Sequence, residues 1–281
     1  MVNFNGTLLA EDENFLNGDN RGLQYGDGLF ETLRVVNGKL FFWEDHYFRL
    51  MASMRILRME IPMQFTMEHL EAEVLKTITA KELQNNAVRV KILVFRNTGG
   101  LYAPTDNNVQ YVITVKPLTA PFYVLTEQPY EVELFKDFYL NADMLSNLKT
   151  TNKLLNVVAG VYSQENGYQN CLLLNQKKQV VETINGNLFL VNKNIIKTPP
   201  LEDGCLNGIL RKKLIELLEA LEDYEILEAS ISPFELQKAD ELFLTNTILG
   251  IVPITKYRKK EFATATAKNL IGKLNARARL A

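Results

Sequence analysis

The chain has 281 residues, a net charge of −2, 47% hydrophobic and 23% charged residues; it is too long for one small core and its composition is that of a globular protein rather than a disordered one. Its lysines and arginines are dispersed, which argues against nucleic acid or an anionic membrane as a partner, and its longest apolar runs are far too short to span a bilayer. The start, Met1-Val2-Asn3-Phe4-Asn5-Gly6, lacks the basic and apolar blocks of a signal peptide, and Cys171, Cys205, His46 and His69 have neither disulfide-framework nor zinc-site spacing, so a cytoplasmic protein with no structural metal is expected.

Residues 29–36 are apolar and strand-like, Asn37-Gly38 is a strong two-residue hairpin signal, and 39–43 read as the returning strand. Residues 44–58 read as a helix, with His46, Arg49, Leu50, Ser53, Met54 and Leu57 at three-to-four spacing, and 67–83 as a second, with Leu70, Val74, Leu75 and Ile78 on one face. Two β-rich runs, 87–95 and 109–115, flank a loop at 96–104. Prolines 117 and 121 mark a linker. Beyond it come a strand at 130–135, a helix at 149–164, a hairpin from 171–174 and 179–182, and short strands at 188–191 and 195–197. An amphipathic helix at 207–222 carries Leu210, Leu214, Leu217, Leu218 and Leu221 on its apolar side. A buried strand at 241–245 and a last helix at 263–277 complete the chain. Strands and helices mix without regular βαβ alternation, which predicts an α+β fold of two domains, 1–116 and 122–281, joined by 117–121. No Gly-x-Gly-x-x-Gly follows a strand, so no dinucleotide site is indicated.

Several segments can carry chemistry, each with a plainer reading beside it. Lys149, placed at a helix start and crowded by Lys153 a turn later, reads either as a solvated lysine or as a desolvated amine able to form a Schiff base. Glu182 ends an apolar strand; it is a surface acid or a carboxylate that keeps a pyridine nitrogen protonated. Leu206-Asn207-Gly208-Ile209-Leu210-Arg211 opens a helix, where free N–H groups and a close backbone suit a phosphate. Thr245-Asn246-Thr247 caps a turn or completes such a cradle. Arg49 is a surface charge or a phosphate fork. Tyr25-Gly26-Asp27-Gly28 is a turn, and the loop from Arg96 to Pro104 is a lid or an exposed hairpin loop.

Taken together these segments resemble the class IV, or fold-type IV, pyridoxal phosphate (PLP)-dependent aminotransferases, a family that includes branched-chain and D-amino-acid aminotransferases and 4-amino-4-deoxychorismate lyases. The resemblance rests on Glu182, Asn187-Leu188-Phe189, Ile196-Lys197-Thr198 and Leu206-Asn207-Gly208-Ile209-Leu210-Arg211, with Tyr25-Gly26-Asp27-Gly28-Leu29-Phe30-Glu31 and His46-Tyr47-Phe48-Arg49-Leu50 upstream. It implies a two-domain fold with a small α/β N-terminal domain and a larger, pseudo-barrel-like C-terminal domain, a homodimer, PLP as cofactor and a small-molecule substrate. Lys149 would form the Schiff base and shuttle protons, and Glu182 would bind the pyridine nitrogen. Arg49, Gly208, the backbone of Ile209 and Leu210, and Thr247 would hold the phosphate, and Tyr25, Arg96, Tyr102 and Lys153 would lie near the substrate. Within the family, Lys149-x-x-Asn152-basic-Leu154, Asn207-Gly208-Ile209-Leu210-Arg211 and Thr245-Asn246-Thr247-x-x-Gly250 look like the lyases. Transaminases usually carry a threonine where Leu210 stands and a tyrosine in the neighbourhood of Lys153. A transaminase acting on branched-chain or D-amino acids, and a non-catalytic ligand-binding relative, are the alternatives.

Overall fold

The computed structural model describes residues 1–280. The chain divides into two compact units, one formed by Met1–Pro121 with Lys149–Asn152, the other by Phe122–Leu148 with Lys153–Leu280. Within the first unit β1 (Val2–Phe4), β2 (Thr7–Leu9), a short helix α1 (Arg21–Tyr25), β3 (Gly28–Val36), β4 (Lys39–Leu40), α2 (Trp43–Ile56), α3 (Met67–Ala80), β5 (Ala87–Arg96) and β6 (Val109–Pro117) follow in order. The strands form one antiparallel sheet in the order β2-β1-β6-β5-β3-β4. Alternation along β5 puts Val88, Val90, Ile92 and Val94 in a core with no exposed surface. Leu50 and Met54 of α2 and Leu70, Val74 and Ile78 of α3 supply its helical side.

Asn37 and Gly38 both take positive φ, 48° and 77°, as the tight turn joining twisted strands requires. The returning strand is shorter than expected and stops at Leu40. Phe41, Phe42 and Trp43 are all buried, which a half-exposed strand cannot arrange. Phe42 turns into the left-handed region (φ 55°) and α2 begins at Trp43.

In the second unit β7 (Glu131–Leu134), α4 (Leu154–Glu165), β8 (Asn170–Leu174), β9 (Val180–Thr183), β10 (Asn187–Asn192), β11 (Ile195–Thr198), α5 (Ile209–Glu219), β12 (Glu225–Glu228), α6 (Pro233–Leu236), β13 (Glu241–Asn246), β14 (Gly250–Ile254), β15 (Lys256–Tyr257), β16 (Lys260–Glu261) and α7 (Ala265–Leu280) follow. They build a ten-stranded sheet with parallel and antiparallel pairs, in which β13 joins β10 to β14. Its core includes Leu172, Leu188, Leu190, Leu236, Leu242 and Tyr257.

The largest departure from expectation is the segment after Leu148. The helix predicted from residue 149 begins only at Leu154. Before it, the chain runs extended beside β3: Phe30 N–H donates to the Lys149 carbonyl (2.9 Å), Thr151 N–H donates to the Gly28 carbonyl (2.9 Å), and Thr150 bridges to Leu29. Two successive threonines favour this form, because branching at Cβ fits a strand better than a helix.

Candidate active site

In the first unit that added ladder sets where Lys149 can be. The Thr151 hydroxyl donates to the Gly26 carbonyl (2.7 Å) and Asn152 Nδ2 donates to the same oxygen (3.0 Å). Gly26 has φ 63° and ends α1; a Cβ there would stand 2.4 Å from Asn152 Oδ1, so only glycine admits this approach. Lys149 thus sits on an extended backbone rather than at a helix end, with Nζ 4.6 Å from the Phe30 ring centroid.

The next residue of β3, Glu31, faces the other way, into the core, and is 1% exposed. Its carboxylate accepts from Arg49 Nε (2.8 Å) and Nη2 (2.5 Å) and from His46 Nδ1 (2.7 Å). Burial opposes its ionisation, but the Arg49 charge and the His46 and Arg49 hydrogen bonds outweigh that and hold the carboxyl at about 2. Burial pushes His46 below its usual range, the bond and charge of Glu31 push it back up, and the Arg49 and Lys149 charges push it down again. The imidazole is therefore neutral, with its proton on Nδ1 toward the carboxylate, and Nε2 has no hydrogen-bond partner among the described residues. Arg49, expected as a phosphate fork, has its guanidinium aligned by Glu31 and is only partly exposed.

The loop after β5 is organised by a residue that the sequence reading passed over. Arg21, 4% exposed, places Nη1 within hydrogen-bond distance of the carbonyls of Gly99 (3.1 Å), Gly100 (3.2 Å) and Leu101 (2.5 Å), and Nη2 3.4 Å from that of Tyr102. It also pairs with Asp27 through Nε (2.9 Å) and lies over the Tyr25 ring. Tyr25 and Tyr102 are thereby brought together, with ring centroids 5.7 Å apart. Arg96, expected to lie near the substrate, braces this loop. It is 6% exposed and donates to Asp27 (3.0 Å), to the carbonyls of Arg58 (3.1 Å) and Leu57 (2.8 Å), and to Asn107 (2.6 Å). These bonds tie its guanidinium into the loop's own frame. No local pattern marks Arg21 as the loop's holder, since the carbonyls it binds there lie some eighty positions away in sequence.

The second unit carries the other expected residues. Glu182 of β9 pairs with Asn187 of β10, which pairs with Thr245 of β13. Cross-strand partners project from the same face, so these three polar side chains stand in a row, and all three are buried. Glu182 Oε2 accepts from Leu206 N–H (2.8 Å) and Asn187 Nδ2 donates to the Leu206 carbonyl (2.8 Å), holding the segment that enters α5. Gly208 is the N-cap of α5, which no side chain caps; a Cβ at Gly208 would come 2.0 Å from Asn187 Oδ1. The first-turn N–H groups of α5 have no partner within the helix and carry its positive dipole end. Ile209 and Leu210 bury their side chains in the core (4% and 1% exposed), so what they can offer a ligand is backbone. The Thr245 hydroxyl is buried and has no hydrogen-bond partner among the described residues.

Thr247 lies in the turn between β13 and β14. Asn246 Oδ1 accepts from Ile248 N–H (3.1 Å) and Leu249 N–H (2.8 Å), and Tyr123 Oη donates to the Thr247 carbonyl (3.2 Å). Gly250 (φ 78°) passes against the Tyr123 ring, where a Cβ would stand 2.6 Å from its Cγ. Lys153, the N-cap of α4, is partly buried; burial pushes its ammonium down and the Glu182 charge pulls it up. Among the described residues no cluster of His, Cys, Asp and Glu could hold a metal ion, and no helix is long and apolar enough to cross a membrane.

Comparison with known proteins gives these two groups of residues a common context. The profile of the amino-transferase class IV family matches residues 28–257. A putative branched-chain-amino-acid aminotransferase of Methanocaldococcus jannaschii is 31% identical over 90% of this chain and 86% of its own. An aminodeoxychorismate lyase of Vibrio harveyi is 29% identical over 84% of each chain. The branched-chain aminotransferase of Thermoproteus uzoniensis superposes with a TM-score of 0.87 at 27% identity, over 98% of this chain and 93% of that one. The mixed α/β fold is theirs, and the chain belongs to the class IV aminotransferase family of PLP-dependent enzymes.

Proposed function

We propose that this enzyme is a PLP-dependent lyase that converts 4-amino-4-deoxychorismate to 4-aminobenzoate and pyruvate. The residues present suit the cofactor. An uncapped helix start beside a glycine that tolerates no Cβ, a buried threonine hydroxyl with no hydrogen-bond partner among the described residues, and a buried carboxylate in the same cross-strand row suit a phosphate and a protonated ring nitrogen. When bound, PLP supplies an electron sink for the bond being broken on the substrate's amine-bearing carbon.

In this reading Ile209 and Leu210 N–H, Gly208, Thr247 and Arg49 hold the phosphate. Glu182 keeps the ring nitrogen charged, and its own charge is steadied by the Leu206 N–H. Lys149 is the covalent attachment point. Its Nζ takes the proton from the amine-bearing ring carbon of the substrate; the enolpyruvyl C–O bond then breaks, the carbon ring becomes aromatic, and the released enolpyruvate gains a proton as pyruvate. Tyr25 and Tyr102, their rings tilted against each other, lie where substrate enters. Lys153 is the observation that carries the lyase reading: the position offers a partly desolvated cation under the influence of Glu182 rather than a neutral aromatic hydroxyl, which suits an anionic substrate. A homodimer and a cytoplasmic location complete the reading.

Aminodeoxychorismate supplied alone is expected to yield 4-aminobenzoate and pyruvate in equal amounts, with no 2-keto acid acceptor. Product formation only from an amino acid plus a 2-keto acid would identify a transaminase instead. Borohydride should trap the cofactor on Lys149, and Lys149→Ala should lose that adduct; an undiminished adduct overturns the lysine assignment.

A further inference from the structure

One half-buried cation of the first unit takes no part in the roles described above. Lys91 lies in the middle of β5, alternating with Val90 and Ile92 of the core and so projecting from the opposite face of the sheet. Its Nζ stands 4.8 Å from the centroid of the Phe30 ring, the ring that Lys149 Nζ approaches to 4.6 Å. Two ammonium groups thus approach one aromatic side chain. Strand register sets Lys91 between Thr32 and Thr114, and beside that row lies Arg34-Arg89-Lys116. The positions of β3 and β5 that project from this face, Gly28 to Val36 and Ala87 to Phe95 by alternation, include no aspartate or glutamate.

Lys91 makes no hydrogen bond or ion pair with any described residue, and its ammonium lies against the Phe30 ring. It is half-buried, and burial and then the Arg89 charge push its ammonium down. A compact, strongly hydrated cation held partly out of water without a counter-charge is unfavourable by itself. A cation–π contact offsets only a small part of that. The arrangement becomes favourable once an anion arrives.

We propose that Lys91 is a substrate-binding residue that receives a carboxylate remote from the reacting amine. Lys149 acts at the amine-bearing carbon, Lys91 takes the carboxylate, and Phe30 gives the carbon frame between them an apolar floor. The preferred substrates are then amino acids in the broad sense whose amine and carboxylate stand several bonds apart, as across a six-membered ring. The inference rests on the reading of Lys149 as the reacting lysine.

The test is calorimetric titration of the holoenzyme with 4-aminobenzoate and with its neutral amide, 4-aminobenzamide. Wild-type enzyme should bind the carboxylate about tenfold more tightly or better, the range of a charge-assisted hydrogen bond. Lys91→Gln should abolish the preference while leaving amide affinity within about twofold, and Lys91→Arg should keep most of it. A wild-type enzyme with no preference, or a Lys91→Gln enzyme that retains it, overturns the proposal. Should Lys91→Gln fail to fold, Lys91→Met, which keeps the apolar stem, gives the same discrimination. A Lys91-dependent preference without lyase turnover would sink the lyase reading and leave this one standing. A Lys149→Ala enzyme with an intact borohydride adduct would remove the basis of both.

Discussion

At the scale of single residues, the entry to α5 turns on a missing methyl group. Gly208 has ordinary extended dihedrals (φ −74°, ψ 138°), so no backbone strain calls for glycine there; the space does, since a Cβ would meet Asn187 Oδ1 at 2.0 Å. Asn187 cannot swing away without giving up the Leu206 carbonyl. Gly208→Ala is therefore expected to displace the helix start, weaken PLP about tenfold, and lower stability by about 1–3 kcal/mol as an overpacked site does. Cofactor titration of the apoenzyme and thermal unfolding check both; unchanged PLP affinity would mean that the phosphate sits elsewhere. Arg96 teaches the opposite lesson. In sequence an arginine beside two glycines invites a substrate role, yet its fate is decided by the carbonyls of Leu57 and Arg58 and by Asn107, partners that no local pattern discloses.

At the scale of elements, Lys149 is placed by a strand pairing rather than by a helix. The amphipathic helices and the alternating strands were legible because periodicity is local: Val88, Val90, Ile92 and Val94 announce the inner face of β5 by spacing alone. The segment from Lys149 to Asn152 was not, because its ladder reaches back to Gly26, Gly28 and Phe30, more than a hundred positions away. The role proposed for Lys149 draws on the company it keeps in the family motif. The seat predicts its own weak point. Thr151→Val keeps the extended backbone and the Thr151 N–H bond but removes the hydroxyl that donates to the Gly26 carbonyl. Stability should fall by about 1 kcal/mol, and turnover should fall more than that figure suggests, because a reacting amine displaced by a fraction of an ångström loses alignment. The comparison of kcat with urea unfolding separates the two; a loss of stability with kcat intact would show that the hydroxyl serves folding alone.

At the scale of the whole molecule, the buried Glu31–His46–Arg49 group ties stability to pH. Glu31 titrates at about 2 in the folded chain against an ordinary 4.5, so the unfolded chain binds the more protons between those values. Stability from this group is complete above about 4.5 and is lost as pH falls toward 2. His46 is also pushed down; it too binds fewer protons when folded, and its contribution begins to erode as pH falls below its ordinary 6.5. Both slopes have the same sign, so unfolding free energy should decline gently below neutrality and steeply below about 4.5. Glu31→Gln should flatten the steep part and cost about 3 kcal/mol at pH 7, in keeping with the size of the shift. Urea titrations from pH 3 to 8 test this, and an unaltered acid limb in the variant would show that other carboxyls govern it. The composition foretold a globular enzyme-sized chain, but this buried charge group depends on β3 and α2 meeting, which composition does not encode.

Arg21 grips the loop after β5 through the main-chain oxygens of four consecutive residues. Such a grip does not read side chains. Leu101 and Tyr102, 76% and 89% exposed at the loop's tip, are free to mutate without unseating the backbone that presents them. Gly99 and Gly100, with φ of 118° and 72°, are not. The loop is thus a fixed hand holding interchangeable tools: substitution at two exposed positions can change what it presents while its backbone stays where Arg21 holds it.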